Sequence, residues 1–355
     1  MKEIRAILNA WRNIDFRKQK AALAMVVRTE GSSYRRMGAR MLVLDDGQFV
    51  GGISGGCLEG DAKRRALKSI ISNKASTITY DTTQDDDQQI GVGLGCNGVI
   101  DVLFIPLNGE QDAISTLREV EHTREIKVII TIVKAPDSNH EGKTFLFNGT
   151  SLPSEYNFPG DALEKFTELV LNRRSGILQL PDHRIFIEVV TPAIHLQIYG
   201  SNYDVYPITR IAQELGWDIS LVGKPEKILK EIAPSTKIFS QYLDNRPVRD
   251  EWSAVILMSH DLVTDKKNLV EILPSSVPYI ALLGPAKRRD KLIEGLEMKE
   301  EWLDKIHGPA GLDIGANNPE EIAIAIVSEI IAFFAGRKGS SLKHLNGPIH
   351  ENNGV

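Results

Sequence analysis

The sequence predicts an α/β protein in two parts: an N-terminal α+β domain with a mixed or antiparallel sheet, followed by a doubly wound parallel α/β domain. Three observations carry this. Up to about residue 190, short strand-like apolar runs follow one another with few helical crossovers, which favours antiparallel pairing. From Thr191-Pro192-Ala193 onward, continuous apolar runs alternate with helical patterns, as strands covered on both faces require. The chain has 355 residues, a net charge of −5 and average hydrophobicity, enough for two or three domains with their own cores. The expected division is 1–190, 191–337, and a flexible tail over 338–355, rich in Gly, Ser and Asn.

The elements follow in order. An amphipathic helix is expected over residues 3–18, then strands over 21–28, 40–44 and 48–52. Asp45-Asp46-Gly47 joins the last two, and Asp-Gly between apolar runs is a strong hairpin signal. Residues 57–71 place Leu58, Ala62, Leu67, Ile70 and Ile71 at helical spacing opposite Asp61, Lys63, Arg64 and Lys68. Strands over 76–80 and 99–105 flank Asp85-Asp86-Asp87, which reads as a solvated loop because adjacent carboxylates make a poor cation cage. A helix over 111–120, strands over 127–133, 144–147, 176–180 and 184–190, and a helix over 161–171 complete the first domain. In the second, strands are expected over 194–199, 219–222, 254–258 and 279–283, with a helix over 205–215. The last helix opens on Asn318-Pro319-Glu320-Glu321, an N-cap, proline at N1 and an acid at N3, and ends at Gly336.

The chain has two cysteines, both in glycine-rich segments. Ile53-Ser54-Gly55-Gly56-Cys57-Leu58-Glu59-Gly60 delivers Cys57 to a helix start, where free N–H groups and the positive dipole end favour a thiolate, a nucleophile or soft metal ligand. Gly91-Val92-Gly93-Leu94-Gly95-Cys96-Asn97-Gly98 presents Cys96 before a strand. A third segment, residues 31–40, adds Ser32, Ser33, Arg35, Arg36 and Arg40, hydroxyls and guanidiniums suited to a phosphate-bearing ligand.

The second domain is Rossmann-like in its alternation but departs from the dinucleotide pattern. Its first strand is followed by Gly200-Ser201-Asn202-Tyr203-Asp204, so Asn202 replaces the glycine that lets backbone approach a pyrophosphate. The second strand ends in Val222-Gly223-Lys224, without the acid that holds a ribose. Asp204 and Pro207 at the following helix add like charge and remove a donor, so NAD(P) is not expected. Other strand ends still carry His260, Asp261 and Arg288, which are expected to share one crevice.

Composition excludes several classes. No basic stripe invites nucleic acid and no long apolar run invites a membrane. Walker A, H-E-x-x-H, C-x-x-C and G-x-S-x-G signatures are missing. Free thiols point to the cytoplasm.

Taken together, these segments resemble the XdhC/CoxI family, accessory factors of xanthine dehydrogenase and related molybdenum hydroxylases. The matching elements are Gly31-Ser32-Ser33 with Arg36, Gly38, Ala39 and Met41, then residues 53–59 and 93–98. In the second domain they are Ser259-His260-Asp261, residues 279–284 with Lys287-Arg288, and residues 311–323. The resemblance implies a non-catalytic role: binding molybdenum cofactor, protecting it while a cysteine desulfurase helps install sulfur, and inserting it into a xanthine dehydrogenase-type apo-enzyme. It implies a cofactor site drawn from Ser32, Ser33, Arg36, Arg40, Gly55, Gly56, Cys57, Glu59, Gly95, Cys96, His260, Asp261 and Arg288, with Cys57 and Cys96 toward the metal, in a homodimer. The rival readings are an NAD(P)- or flavin-dependent oxidoreductase with His260 and Asp261 as acid and base, and a docking module whose cysteines are buried.

Overall fold

The computed structural model of the chain describes residues 1–31, 35–81, 98–109, 113–147, 160–228, 232, 235–243 and 245–344. The Asp85-Asp86-Asp87 segment, the start of the helix expected from residue 111, and residues 345–355 of the tail lie outside them. The chain forms two compact units, Met1–Pro192 and Ala193–Val355.

In the first unit, helix α1 (Lys2–Arg12) buries Ile4, Ile7 and Leu8. It stops short of residue 18 because the chain turns on Asp15, whose carbonyl accepts from the N–H groups of Lys18 and Gln19. Strands β1 (Ala21–Gly31), β2 (Arg40–Leu44) and β3 (Phe49–Gly51) pair in antiparallel sequence, the last two across the Asp45-Asp46-Gly47 turn. Helix α2 (Glu59–Ser72), β4 (Ser76–Asp81) and β5 (Gly98–Leu107) complete a five-stranded antiparallel sheet ordered β3-β2-β1-β5-β4. Strand alternation divides β1 between two cores. Ala22, Ala24 and Val26 pack with Ala62 and Ala66 of α2, while Leu23, Met25 and Val27 join α1. Within α2, the predicted face is correct at Ala62 and Ile70 but not at Ile71, which is exposed.

Helix α3 (Ala113–Val120), β6 (Lys127–Lys134), β7 (Thr144–Phe147), α4 (Gly160–Leu171), β8 (Gly176–Gln179) and β9 (Arg184–Val190) build a second antiparallel sheet, ordered β7-β6-β9-β8. Ile129, Val133, Phe186 and Val190 share the core of α1 and α3; Val128, Ile130, Ile185 and Ile187 pack on Ala162 and Phe166 of α4. Two ion pairs fasten the sheets. Arg40 on β2 grips Glu188 on β9 with both guanidinium nitrogens, and Arg184 on β9 reaches the fully buried Asp101 on β5 at 3.2 Å.

The second unit is a six-stranded parallel sheet. Its strands are β10 (His195–Tyr199), β11 (Asp218–Gly223), β12 (Thr236–Ser240), β13 (Ser253–Leu257), β14 (Tyr279–Leu282) and β15 (Ile306–His307), ordered β12-β11-β10-β13-β14-β15. Helix α5 (Val205–Glu214) connects β10 to β11, α6 (Leu262–Ile272) connects β13 to β14, and α7 (Ala286–Ile293) with α8 (Glu300–Leu303) leads to β15. Helix α9 (Pro319–Phe334) closes the unit. Val205, Ile208, Ala323, Ile326 and Ile330 of α5 and α9 cover one sheet face, and Leu269, Ile272 and Leu292 of α6 and α7 cover the other. The sheet is therefore doubly wound, with its order reversing between β10 and β13. Asn318 caps α9 by accepting from the Glu321 N–H at 2.9 Å, as its sequence predicts. Among the described residues no helix is long and apolar enough to cross a membrane.

Candidate functional site

In the first unit, one edge of the five-stranded sheet gathers the predicted loops. Gly31 ends β1 and pairs with Gly98, which begins β5, while β2 starts and β3 and β4 end toward the same edge. Ser32, Ser33, Gly95 and Cys96 lie outside the described residues, in the segments that Gly31 and Gly98 border.

The Cys57 loop is built on Arg40. Gly51 has φ +85°, and a Cβ on it would lie 2.3 Å from the Arg40 carbonyl oxygen, so only glycine fits that close approach. The Gly52 N–H then donates to the same carbonyl at 2.8 Å, and Ile53 is fully buried. Ser54 organises the remainder of the loop. Its Oγ accepts from the N–H groups of Gly56 (3.2 Å) and Leu58 (3.1 Å), lies 3.6 Å from Cys57 Sγ, and donates to Glu59 Oε2. Glu59 Oε1 accepts the Ser54 N–H at 2.8 Å. Burial pushes the Glu59 carboxyl up, but the bonds from Ser54, from its own N–H and from Gly56 together hold it below the ordinary glutamate value. Gly55 and Gly56 are exposed, Gly56 at φ +117° with open space where a Cβ would be. Cys57 is half-buried. The loop thus offers a thiol and open backbone just ahead of a helix, with the loop's own Gly56 and Leu58 N–H groups held by the Ser54 side chain.

The arginines divide. Arg36 is exposed in the turn before β2. Arg40 is a correction: expected as a phosphate ligand, it is 3% exposed and its fork is taken by Glu188 and by the Gly38 carbonyl, at 2.6 Å. Its work is to join the two sheets and carry the Cys57 loop. Glu188, 148 residues away, is a partner that sequence reasoning missed, as is Ser54, which precedes Glu59 by five positions rather than the three of a capping box.

In the second unit, the carboxyl ends of β10, β11, β13 and β14 bring His260, Asp261, Lys224 and Arg288 to one side of the sheet. The expected His260–Asp261 acid/base pair does not form. Asp261 caps α6, accepting from the Thr264 N–H at 2.7 Å. Those Thr264 bonds hold the Asp261 carboxyl below its ordinary value, with lesser attraction from Lys224 and Arg288. His260, at φ +61°, turns instead to Asp204 at the head of α5, Nε2 to Oδ2 at 2.5 Å. Arg288 donates to the buried Asp265 of α6 at 2.7 Å, and the other Asp265 oxygen accepts the Ser259 N–H. The start of the 311–323 segment is held by Glu329 of α9, which accepts from the Gly311 N–H (2.7 Å) and the Tyr279 hydroxyl (2.6 Å).

Comparison with known proteins places both units. Residues 196–330 match the family model described as the XdhC Rossmann domain, and residues 17–81 match the XdhC and CoxI family model. A probable xanthine dehydrogenase subunit of Bacillus subtilis (strain 168) is 28% identical over 328 residues, 88% of this chain and 93% of that one. The molybdenum cofactor insertion chaperone PaoD of Escherichia coli (strain K12) is 22% identical over 314 residues, 87% and 82% of the two chains. A crystal structure from Bacillus halodurans, described as a xanthine dehydrogenase, superposes with a TM-score of 0.77 at 28% identity, covering 96% of this chain and 98% of that one.

Proposed function

We propose, because this chain belongs to the XdhC and CoxI family, that it is an accessory protein that holds molybdenum cofactor and inserts it into a molybdenum enzyme. In this reading the client is a xanthine dehydrogenase-type hydroxylase, and the protein shields the cofactor while a cysteine desulfurase supplies its terminal sulfur. The observation that supports it most is the near full-length likeness to a protein named as a molybdenum cofactor insertion chaperone.

The described residues fit such a group. Molybdenum cofactor carries a pterin, a phosphate and a metal already held by the pterin's own sulfurs, so a carrier needs a soft ligand and a polar cradle rather than a full cage. Among the described residues no group of three or more His, Cys, Asp or Glu forms a cage. Cys57, a half-buried residue, supplies the soft ligand. Gly55 and Gly56 let the ligand approach the backbone, and Ser54 with Glu59 fixes the loop. When bound, the cofactor supplies the molybdenum centre; the chain supplies position and exclusion of water. Ser32, Ser33, Arg36, Gly95 and Cys96 are assigned to the same site as part of the proposal.

The test is to incubate the purified chain with isolated cofactor, desalt it, and measure molybdenum and pterin. The wild type is expected to retain close to one equivalent and Cys57→Ala several-fold less. Failure of the wild type to retain either would end the reading.

A further inference from the structure

The parallel sheet of the second unit ends in two edge strands, and they are guarded unequally. An edge strand presents unpaired N–H and C=O groups to any further strand, and folds blunt such edges by shortness, charge or cover. At one edge β15 is two residues long. At the other, β12 runs for five residues, Thr236–Ser240, and among the described residues it pairs only with β11. Its surroundings are apolar. Ile238 lies beside the buried Leu221 yet is 48% exposed, and Tyr242 and Leu243, just beyond the strand, are 63% and 61% exposed. The Tyr242 hydroxyl donates to Glu226 Oε1 at 3.0 Å, which fixes the ring next to the edge.

The outward side of β12 is defined by its backbone. The Gln241 N–H donates to the Gly223 carbonyl at 2.9 Å, so Gln241 turns toward β11. Backbone groups of successive strand residues point to opposite sides, which turns Lys237 and Phe239 toward β11 and leaves Thr236, Ile238 and Ser240 facing outward. That row is a template for an extended chain.

The strand sequence, Thr-Lys-Ile-Phe-Ser, fits its own reverse. Antiparallel pairing must set outward groups against outward groups. Between two identical chains, a register centred on Ile238 does so along the whole strand: Ile238 meets its own equivalent, Thr236 meets Ser240, and Lys237 meets Phe239, whose ring attracts a cation. A register centred on Lys237 opposes two like charges, and one centred on Phe239 carries Thr236 past the end of the other strand. The one lysine, ordinarily a guard against edge pairing, therefore selects a single register.

We propose that β12 is a self-association surface: the β12 strands of two copies pair antiparallel about Ile238, and the two parallel sheets join into one. The charge and backbone pattern favours a second copy over an unrelated strand. Nothing in it depends on the accessory role proposed above.

The test is the oligomeric state of the full chain by sedimentation equilibrium. Wild type is expected to dimerise reversibly at micromolar concentration. Ile238→Lys sets like charges opposite each other at the centre of the pair and should weaken association about tenfold or more. Ile238→Pro removes an outward N–H without touching a bond to β11 and should do the same, with the melting temperature of each variant reporting that the fold is kept. Mild oxidation of Ile238→Cys should join two chains by a disulfide, since opposed residues of a hydrogen-bonded pair lie about 5.5 Å apart between Cα atoms. Lys237→Cys, also exposed, should not, because it faces Phe239; wild type, with its own two cysteines, sets the background. A wild type that stays monomeric, a dimer indifferent to both Lys and Pro at position 238, or a link through Lys237→Cys as readily as through Ile238→Cys overturns the proposal. A monomeric chain whose β12 edge takes a strand of a different protein overturns it as well. Association is read without cofactor, so its failure and failure of cofactor retention are separate results.

Discussion

The loops ahead of α2 and α5 are both glycine-containing helix starts, yet they are closed by opposite means. Ahead of α2 a side chain does the closing: Ser54 accepts the N–H groups of Gly56 and Leu58, and Glu59 holds Ser54. Ahead of α5 the backbone closes on itself, through the carbonyls of Asn202 and Tyr203, and Asp204 faces His260. Side-chain closure leaves the loop's backbone and its thiol available; backbone closure consumes the helix start and leaves only a side chain to recognise anything. The glycines differ accordingly. Gly56 faces open space, whereas Gly200 and Gly223 are glycines because neighbouring backbone lies within 2.7 and 2.5 Å of where a Cβ would be.

The largest effect is expected beneath the Cys57 loop. Glu188→Ala strands the buried Arg40 guanidinium, and removing one partner of a buried pair costs about 3–5 kcal/mol. Because the Gly52 N–H rests on the Arg40 carbonyl, the same change should loosen the loop and speed alkylation of Cys57. Urea unfolding of the variant and thiol labelling under native conditions check both. A loss below about 1 kcal/mol would place the pair among those that contribute little net stability and would detach the loop from it.

The comparison itself is tested by two alanines. Ser54→Ala removes the acceptor for the Gly56 and Leu58 N–H groups and the donor to Glu59, and should cost about 1 kcal/mol, the usual net worth of a hydrogen bond. Asp204→Ala removes no bond to α5 and should cost less. Equilibrium unfolding of the two variants side by side decides it; the reverse order would mean that the Asp204 contact with His260 contributes more than the bonds Ser54 makes.

What the sequence makes legible here is local. The continuous apolar runs became β10, β13 and β14, the Asp45-Asp46-Gly47 turn joined its two strands, and Asn318 capped α9, because each depends on neighbours a few residues away. The edge strands β12 and β15 escaped: β12 carries exposed Lys237 and Ile238, and β15 is two residues long, so neither shows the apolar run of a covered strand. Partner choice escaped too. Arg40 beside a glycine-rich segment looks like a phosphate ligand until the sheet packing brings Glu188 to it. His260 stands next to Asp261 in sequence, but sheet order sets it against Asp204.

The smallest effect separates the two loops by pH. Glu59 is the only acid bound to Ser54 in the described loop, and its folded-state value is depressed. A depressed carboxylate contributes stability that is fully present above the unfolded value, 4.5, and is lost as pH falls through the lower folded value. Glu59→Gln keeps the shape and removes the titration. The wild type should therefore exceed Glu59→Gln in stability near neutrality, and the two should converge in acid below the ordinary glutamate range. The group is partly exposed, so solvent screening keeps the difference small. Unfolding midpoints measured from pH 7 downward should show the gap narrowing in that window; a gap that stays constant would mean Ser54 is held equally well by a neutral amide, and that the charge on Glu59 serves the ligand rather than the loop.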